Sequence, residues 1–288
     1  MSLPVNILFA LTKQVASMLD DRFDLSAKGR LVCQFGVASI MAWSAQNYIT
    51  SLGDIFGFGS VYLGLAGYFF TLVCVVGVIN AINMIDGIDG LAGGMSLVVL
   101  LSVVSLLLLS DNGAAIMEPL VIIAAIVPFL AFNLSLKGFK GNKIFMGDAG
   151  SMFVGLTIVW LLVDHTQGPG ASLRPITGVW LIGLPLMDMA AIMFRRARKG
   201  QSVLKPDRKH LHNIFMRAGF SPRRSLVAIL LMGAGYCLIG ILGEVYQVPA
   251  YIMFWGFMAL LVVYSTAIMN IWKIIRFFRA VKRRLLPA

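Results

Sequence analysis

Long apolar runs, each closed by a few polar residues, recur from one end of the chain to the other. A helix needs about 20 predominantly apolar residues to cross a bilayer. Runs of that kind lie at 31–50, 61–80, 92–110, 119–136, 176–194, 225–243 and 250–272. A shorter run occupies 150–163, and a weak one, holding Asn6, Lys13 and Gln14, occupies 3–19. The pattern predicts an all-α fold, a polytopic transmembrane helical bundle of about nine membrane helices, forming a single integral membrane domain over 1–288. No soluble domain, low-complexity tract or repeat interrupts the pattern, so chemistry is expected in loops and at helix ends.

Composition agrees with lipid as the main solvent. Of the 288 residues 59% are hydrophobic and 13% charged, against about 25% charged in soluble domains. The net charge of +11 would suit a nucleic-acid partner, but the basic residues sit in short loops between apolar runs, so none is expected. When loops are assigned alternately to the two sides of a bilayer, 22 of the 24 Lys and Arg fall on one side, and only Arg174 falls on the other. Positive residues stay cytoplasmic, which places that side, and the carboxyl terminus, in the cytoplasm. Cys33, Cys74 and Cys237 lie singly inside apolar runs, so neither a disulfide framework nor a zinc site is expected. The amino terminus has no basic segment followed by a small-residue cleavage site, so no signal peptide is read.

Three of the cytoplasmic loops carry chemistry that connectors do not need. The first reads Asp20-Asp21-Arg22-Phe23-Asp24, followed by Lys28 and Arg30. Adjacent carboxylates repel unless a cation or a shared proton intervenes, although a capped interfacial loop is the plain alternative. The second runs from Asn80 through Asn83, Asp86, Gly87 and Asp89 to Gly94. Helical spacing would put Asn80, Asn83 and Asp86 on one face, and hard oxygen ligands of this kind suit Mg²⁺ or Mn²⁺. The third, Lys143 to Ser151, sets Asp148 between glycines just before an apolar run, where backbone amides can face an anion. The longest cytoplasmic loop, the basic histidine loop 195–224, contains Pro206-Asp207-Arg208-Lys209-His210-Leu211-His212-Asn213. Its histidines suit hydrogen bonding to phosphate or proton transfer. Asp188 lies inside the run 176–194; it either opens toward the cytoplasmic cavity or makes a helix–helix hydrogen bond near Pro185.

Together the strings DDRFDLSAKGR, NAINMIDGIDGLAGG, FMGDAGS and PDRKHLH, in that order, resemble the polyprenyl-phosphate N-acetylhexosamine-1-phosphate transferase family. The resemblance covers nearly the whole chain and is strongest to the branch that uses UDP-GlcNAc and undecaprenyl phosphate. It implies transfer of N-acetylhexosamine 1-phosphate from a UDP-N-acetylhexosamine to undecaprenyl phosphate, with UMP released and Mg²⁺ (or Mn²⁺) required. This is the initiating step of O-antigen or related envelope polysaccharide synthesis in the bacterial inner membrane. By matching positions, Asn83 and Asp148 would hold the metal. Asp20, Asp21, Asp86, Asp89, His210 and His212 would be catalytic, and Lys28, Arg30, Asn80, Phe145 and Arg208 would bind substrate, with Phe145 stacking on uracil. Membrane lipid would surround the bundle, and a homodimer is compatible with it. The chain departs from the family at Asn213, where a further histidine is usual, and at its amino terminus, where relatives carry more membrane helices, so it is expected to be a shortened form. Two other readings compete: a truncated homologue with impaired catalysis, and an ion-coupled transporter with Asp188 and the Asn/Asp loop along its path.

Overall fold

The computed structural model describes residues 27–44, 47–110, 113–136, 138–139, 141–168, 170–202, 210–271 and 276. Ten α-helices order these residues: α1 (Ala27–Ser44), α2 (Ala66–Ile85), α3 (Leu91–Leu109), α4 (Met117–Asn133), α5 (Gly147–Thr166), α6 (Pro175–Leu181), α7 (Gly183–Arg198), α8 (Leu211–Arg217), α9 (Pro222–Val245) and α10 (Ala250–Met269), with a 3₁₀ turn at Gly113–Ile116. Among the described residues the only pairing of extended backbone is an isolated antiparallel bridge between Ser51 and Tyr62. The chain is a multi-pass, all-helical membrane protein. Five helices, α2, α3, α5, α9 and α10, are long and apolar enough to cross a bilayer, and α6 with α7 forms a sixth if that bent pair is one span.

Eight of the nine runs read from sequence therefore correspond to helices, and 3–19 lies outside the described residues, but the count of nine spans is not reached. α1 begins on the charged Lys28 and Arg30, and α4, 17 residues long with Pro128 inside it, is a shorter apolar helix. The run expected at 61–80 starts its helix only at Ala66, because Val61 and Leu63 close a turn onto Leu52 and Thr50 through backbone hydrogen bonds of 2.9 Å. The span 176–194 bends by 76° at Ile182, where Gly183 and Pro185 weaken the helical ladder. Such a broken span leaves backbone and polar groups at depth only where protein covers them.

Helices apolar on every side bury some faces against neighbours and turn others to lipid. α3 is the most enclosed, with 67% of its span buried, and α10 the least, with 22%. Val32, Phe69, Val121, Leu231, Trp255 and Val263 face outward, the surface expected against hydrocarbon. α2 and α5 pack most intimately, and the cause is Gly155: a Cβ there would lie 3.0 Å from the Ile79 Cα. Small residues at such crossings let backbones approach. At one end of the bundle Arg174 is tied by Nε to Glu244 (3.1 Å) and by its other nitrogens to the carbonyls of Val248 and Gly243. The motif residues gather at the opposite end.

Candidate functional site

Because α2 and α5 run antiparallel in close contact, the last turn of one meets the first turn of the other. The Asn83 amide donates to Ser151 Oγ (2.9 Å) and to Asp148 Oδ1 (3.3 Å). Both amide hydrogens are used in this way, which leaves the carbonyl oxygen for another ligand. Arg30, from the first turn of α1, reaches Asp148 Oδ2 at 2.5 Å. Asn80 lies one turn deeper and does not join this group: its amide donates to Gln34 Oε1 and to the Val76 carbonyl, both at 2.7 Å. The expected shared face of Asn80, Asn83 and Asp86 breaks at the helix end, since α2 stops at Ile85 and Asp86 is its cap residue.

The turn after α2 is held by a residue that the sequence reading did not single out. Gly90 adopts φ 78° at the start of α3 and its N–H donates to Asn133 Oδ1 at 2.6 Å. The Asn133 amide in turn donates to the Ile144 carbonyl at 2.8 Å, so one side chain fastens the second motif to the third. Asp89 pairs with Lys143 at 2.6 Å. The Asp86 carboxyl is pushed up to about 6 by partial loss of hydration and then by the charges of Asp148 and Asp89. Asp86 thus feels two neighbouring carboxylates, an arrangement that favours an added cation or a shared proton.

His210 and His212 close over this turn from α8. His210 Nδ1 meets Asp188 Oδ2 at 2.9 Å, and the Leu211 N–H donates to Asp188 Oδ1 at 3.2 Å. The two imidazoles stack with centroids 6.0 Å apart. The His212 ring lies directly on Gly87, where an added Cβ would fall 2.0 Å from Nε2. Burial, together with the neighbouring His210, lowers the His212 pKa to about 4 against an opposing pull from Asp188. Neutral His212 therefore accepts the Asn213 amide hydrogen on Nε2 (2.8 Å) and keeps its own proton on Nδ1.

Of the remaining expected residues, Lys28 is exposed on the first turn of α1, and Phe145 is 72% exposed with the Lys143 ammonium 4.8 Å from its ring centroid. Asp20, Asp21 and Arg208 lie outside the described residues. A separate group, Glu118, Asp164 and His165, brings ligand atoms within 4.8 Å of one another. It sits at the far end of α5, about 24 Å from Asp148 by helical rise, and does not belong to this site. Gln34, Asn133 and Tyr264 were missed from sequence, while Ser151 was noted only as the end of the third motif. Asn133 and Gln34 had a faint signal, each an amide near one end of an apolar run; Tyr264 had none.

Comparison with known proteins places the chain in a family. The profile of glycosyl transferase family 4 matches residues 3–166. An undecaprenyl-phosphate alpha-N-acetylglucosaminyl 1-phosphate transferase of Escherichia coli is 44% identical over 268 residues, spanning 93% of this chain and 73% of the relative. Proteins of the same name from Yersinia pestis and Pasteurella multocida are 43% identical over 268 residues and 42% identical over 286, the latter spanning 99% of this chain and 80% of the relative. With more than half its length under the family profile and such relatives along nearly all of it, the chain belongs to glycosyl transferase family 4.

Proposed function

We propose that this protein transfers N-acetylglucosamine 1-phosphate from UDP-GlcNAc to undecaprenyl phosphate, releasing UMP, on the cytoplasmic face of the bacterial inner membrane. One observation carries the reading: residues far apart in sequence, Arg30, Asn83 and Asp148, meet at an accessible end of an apolar bundle. A lipid acceptor and a water-soluble sugar nucleotide can reach one another only at such a boundary. In the reaction an oxygen of the lipid phosphate attacks the β-phosphorus of the UDP-sugar, the bond to the UMP oxygen breaks, and UMP leaves.

Asn83 and Asp148 would hold Mg²⁺ or Mn²⁺. Their all-oxygen donors, with the converging charge of Asp86 and Asp89, fit a hard divalent cation, which when bound offsets negative charge on the diphosphate. Asp20, Asp21, Asp86 and Asp89 supply further carboxylates for acid–base work or for the acceptor phosphate. Lys28, Arg30 and Arg208 bind phosphate, Asn80 supports the substrate pocket through Gln34, and Phe145, standing clear of the surface, stacks on uracil. His210 and His212 face the diphosphate or sugar. The whole chain, 1–288, acts as one integral membrane domain, it starts an O-antigen or related envelope polymer, and it can work as a homodimer.

The test is membranes containing the protein, supplied with UDP-GlcNAc, undecaprenyl phosphate and Mg²⁺. UMP and a GlcNAc-diphosphate lipid should appear together, and both should stop when the cation is chelated. Failure to release UMP under conditions where the Escherichia coli relative is active overturns the reading. The transporter alternative gains no support from Asp188, whose two oxygens are taken up by protein donors.

A further inference from the structure

Asp188 is the most enclosed carboxylate among the described residues, with 2% of its side chain accessible. A buried carboxylate is costly unless donors surround it, and three do. Oδ2 meets His210 Nδ1 at 2.9 Å, while Oδ1 accepts from the Leu211 N–H at 3.2 Å and from the Tyr264 hydroxyl at 2.8 Å. The donors come from the start of α8 and from α10, so one carboxylate on α7 ties two further elements together. A helix staple would need only the Tyr264 bond. The other two aim at His210 and Leu211, the cap and first residue of α8, and the ring they hold stacks on His212, which rests on Gly87 between Asp86 and Asp89.

We propose that Asp188 is a positioning residue for the transfer reaction, one that fixes the tautomer and orientation of His210. A carboxylate beside Nδ1 keeps hydrogen on that nitrogen whether the ring is neutral or charged. Nε2 is then the atom His210 offers to substrate, as a base when neutral and as a donor to a phosphate oxygen when protonated. The same carboxylate caps the start of α8 through Leu211, so ring and helix are set by one group. The position supports the division of labour: Asp188 sits on α7, the half of the broken span that follows the 76° bend, and its partners His210 and Leu211 belong to the histidine motif. This rests on the phosphoryl-transfer reading above.

Two measurements test it. In a double-mutant cycle, Asp188→Asn should lower kcat/KM for UMP release by about 10- to 100-fold, mainly in kcat. In a His210→Ala background the same change should cost nothing further, because its target is gone. Costs that multiply, or wild-type rates for Asp188→Asn, overturn the proposal. If Asp188→Asn does not fold, Tyr264→Phe, which touches the same carboxylate, takes its place, with a smaller loss that also vanishes in the His210→Ala background. The second measurement does not depend on activity. The chain has three histidines, so ¹⁵N-histidine spectra of the reconstituted protein resolve each ring. The resonance lost in His210→Ala should show a protonated Nδ1 in the wild type and change tautomer in Asp188→Asn, and an unchanged ring overturns the assignment. An inactive wild type would remove the transfer reading alone, since the spectra still decide what Asp188 does to His210.

Discussion

Asp148 and Asp188 are both carboxylates near one end of the bundle, yet their surroundings are opposite. The Asp148 side chain is 49% exposed, and its contacts are the Arg30 guanidinium and the amide of Asn83. The Asp188 side chain is 2% exposed and sits in a fixed cage of three donors. An exposed ion pair contributes about 0–1 kcal/mol to stability, so Asp148 can exchange Arg30 for a cation, and the freed Arg30 can turn to a phosphate, at little cost to the fold. A buried carboxylate with its partners removed is expensive, so Asp188 cannot exchange its partners and serves as part of the frame. One carboxylate stands open to a new partner, and the other holds three helices in place.

The largest effect is expected where the exchangeable charge is lost. Asp148→Ala should reduce UMP release by about 10²- to 10³-fold, the usual consequence of removing one group that stabilises developing charge. Its melting temperature in detergent should stay near that of the wild type. A large fall in melting temperature with full activity in the surviving fraction would erase the contrast with Asp188.

A smaller loss is expected from Gly87→Ala. The new methyl would meet His212 Nε2 at 2.0 Å, and the ring is buried, so histidine loop and Asp86 turn must part. Displacement of a positioned group by about 1 Å can cost up to about 100-fold in rate, and overpacking costs about 1–3 kcal/mol in stability. Gly87→Ala combined with His212→Ala should recover the melting temperature and not the rate. Recovery of neither would mean that the backbone at 87, not the contact, matters.

The smallest effect concerns pH. The His212 pKa is about 4 in the fold against 6.5 for a freely hydrated histidine, so between those values the unfolded chain binds more protons than the folded one. Stability from this residue is whole above pH 6.5 and declines as pH falls toward 4. Melting temperature followed from about pH 7 to about pH 5 should fall less in His212→Gln than in the wild type. Equal slopes would show that His212 is not held neutral.

Much of this site was legible in the sequence because its parts are local. NAINMIDGIDGLAGG and FMGDAGS announce themselves by packing oxygen ligands and glycines into short stretches beside apolar runs, and Asn83 and Asp148 do meet. Asn80 and Asp86 were harder to place. The helical repeat that put Asp86 beside Asn83 holds only while the helix continues, and α2 ends one residue before Asp86, whereas Asn80 keeps its place on the helix but spends its amide one turn deeper on Gln34 and Val76. Asn133 and Gln34 were passed over because an amide near the end of an apolar run reads as a boundary until its partners, Gly90 and Asn80, are seen. Asp188 was noticed as an acid in a span, but its two possible meanings could not be told apart, since both of its side-chain partners, His210 and Tyr264, are distant in sequence.

The sequence by itself determined where the apolar helices lie to within their ends, though not how many of them cross the bilayer, together with the order of the motifs and the sign of the charge in each loop. Those properties depend on windows of about 20 residues, and hydropathy and charge are additive over such windows. Only the tertiary structure decided which carboxylate stands open and which is caged, which nitrogen of His210 is occupied, and that Gly87 is bare because His212 lies on it. Each of these depends on the meeting of helices whose residues are up to 118 positions apart, as Arg30 and Asp148 are. The close approach that brings α2 against α5 rests on Gly155, and no local window shows what its missing side chain makes room for.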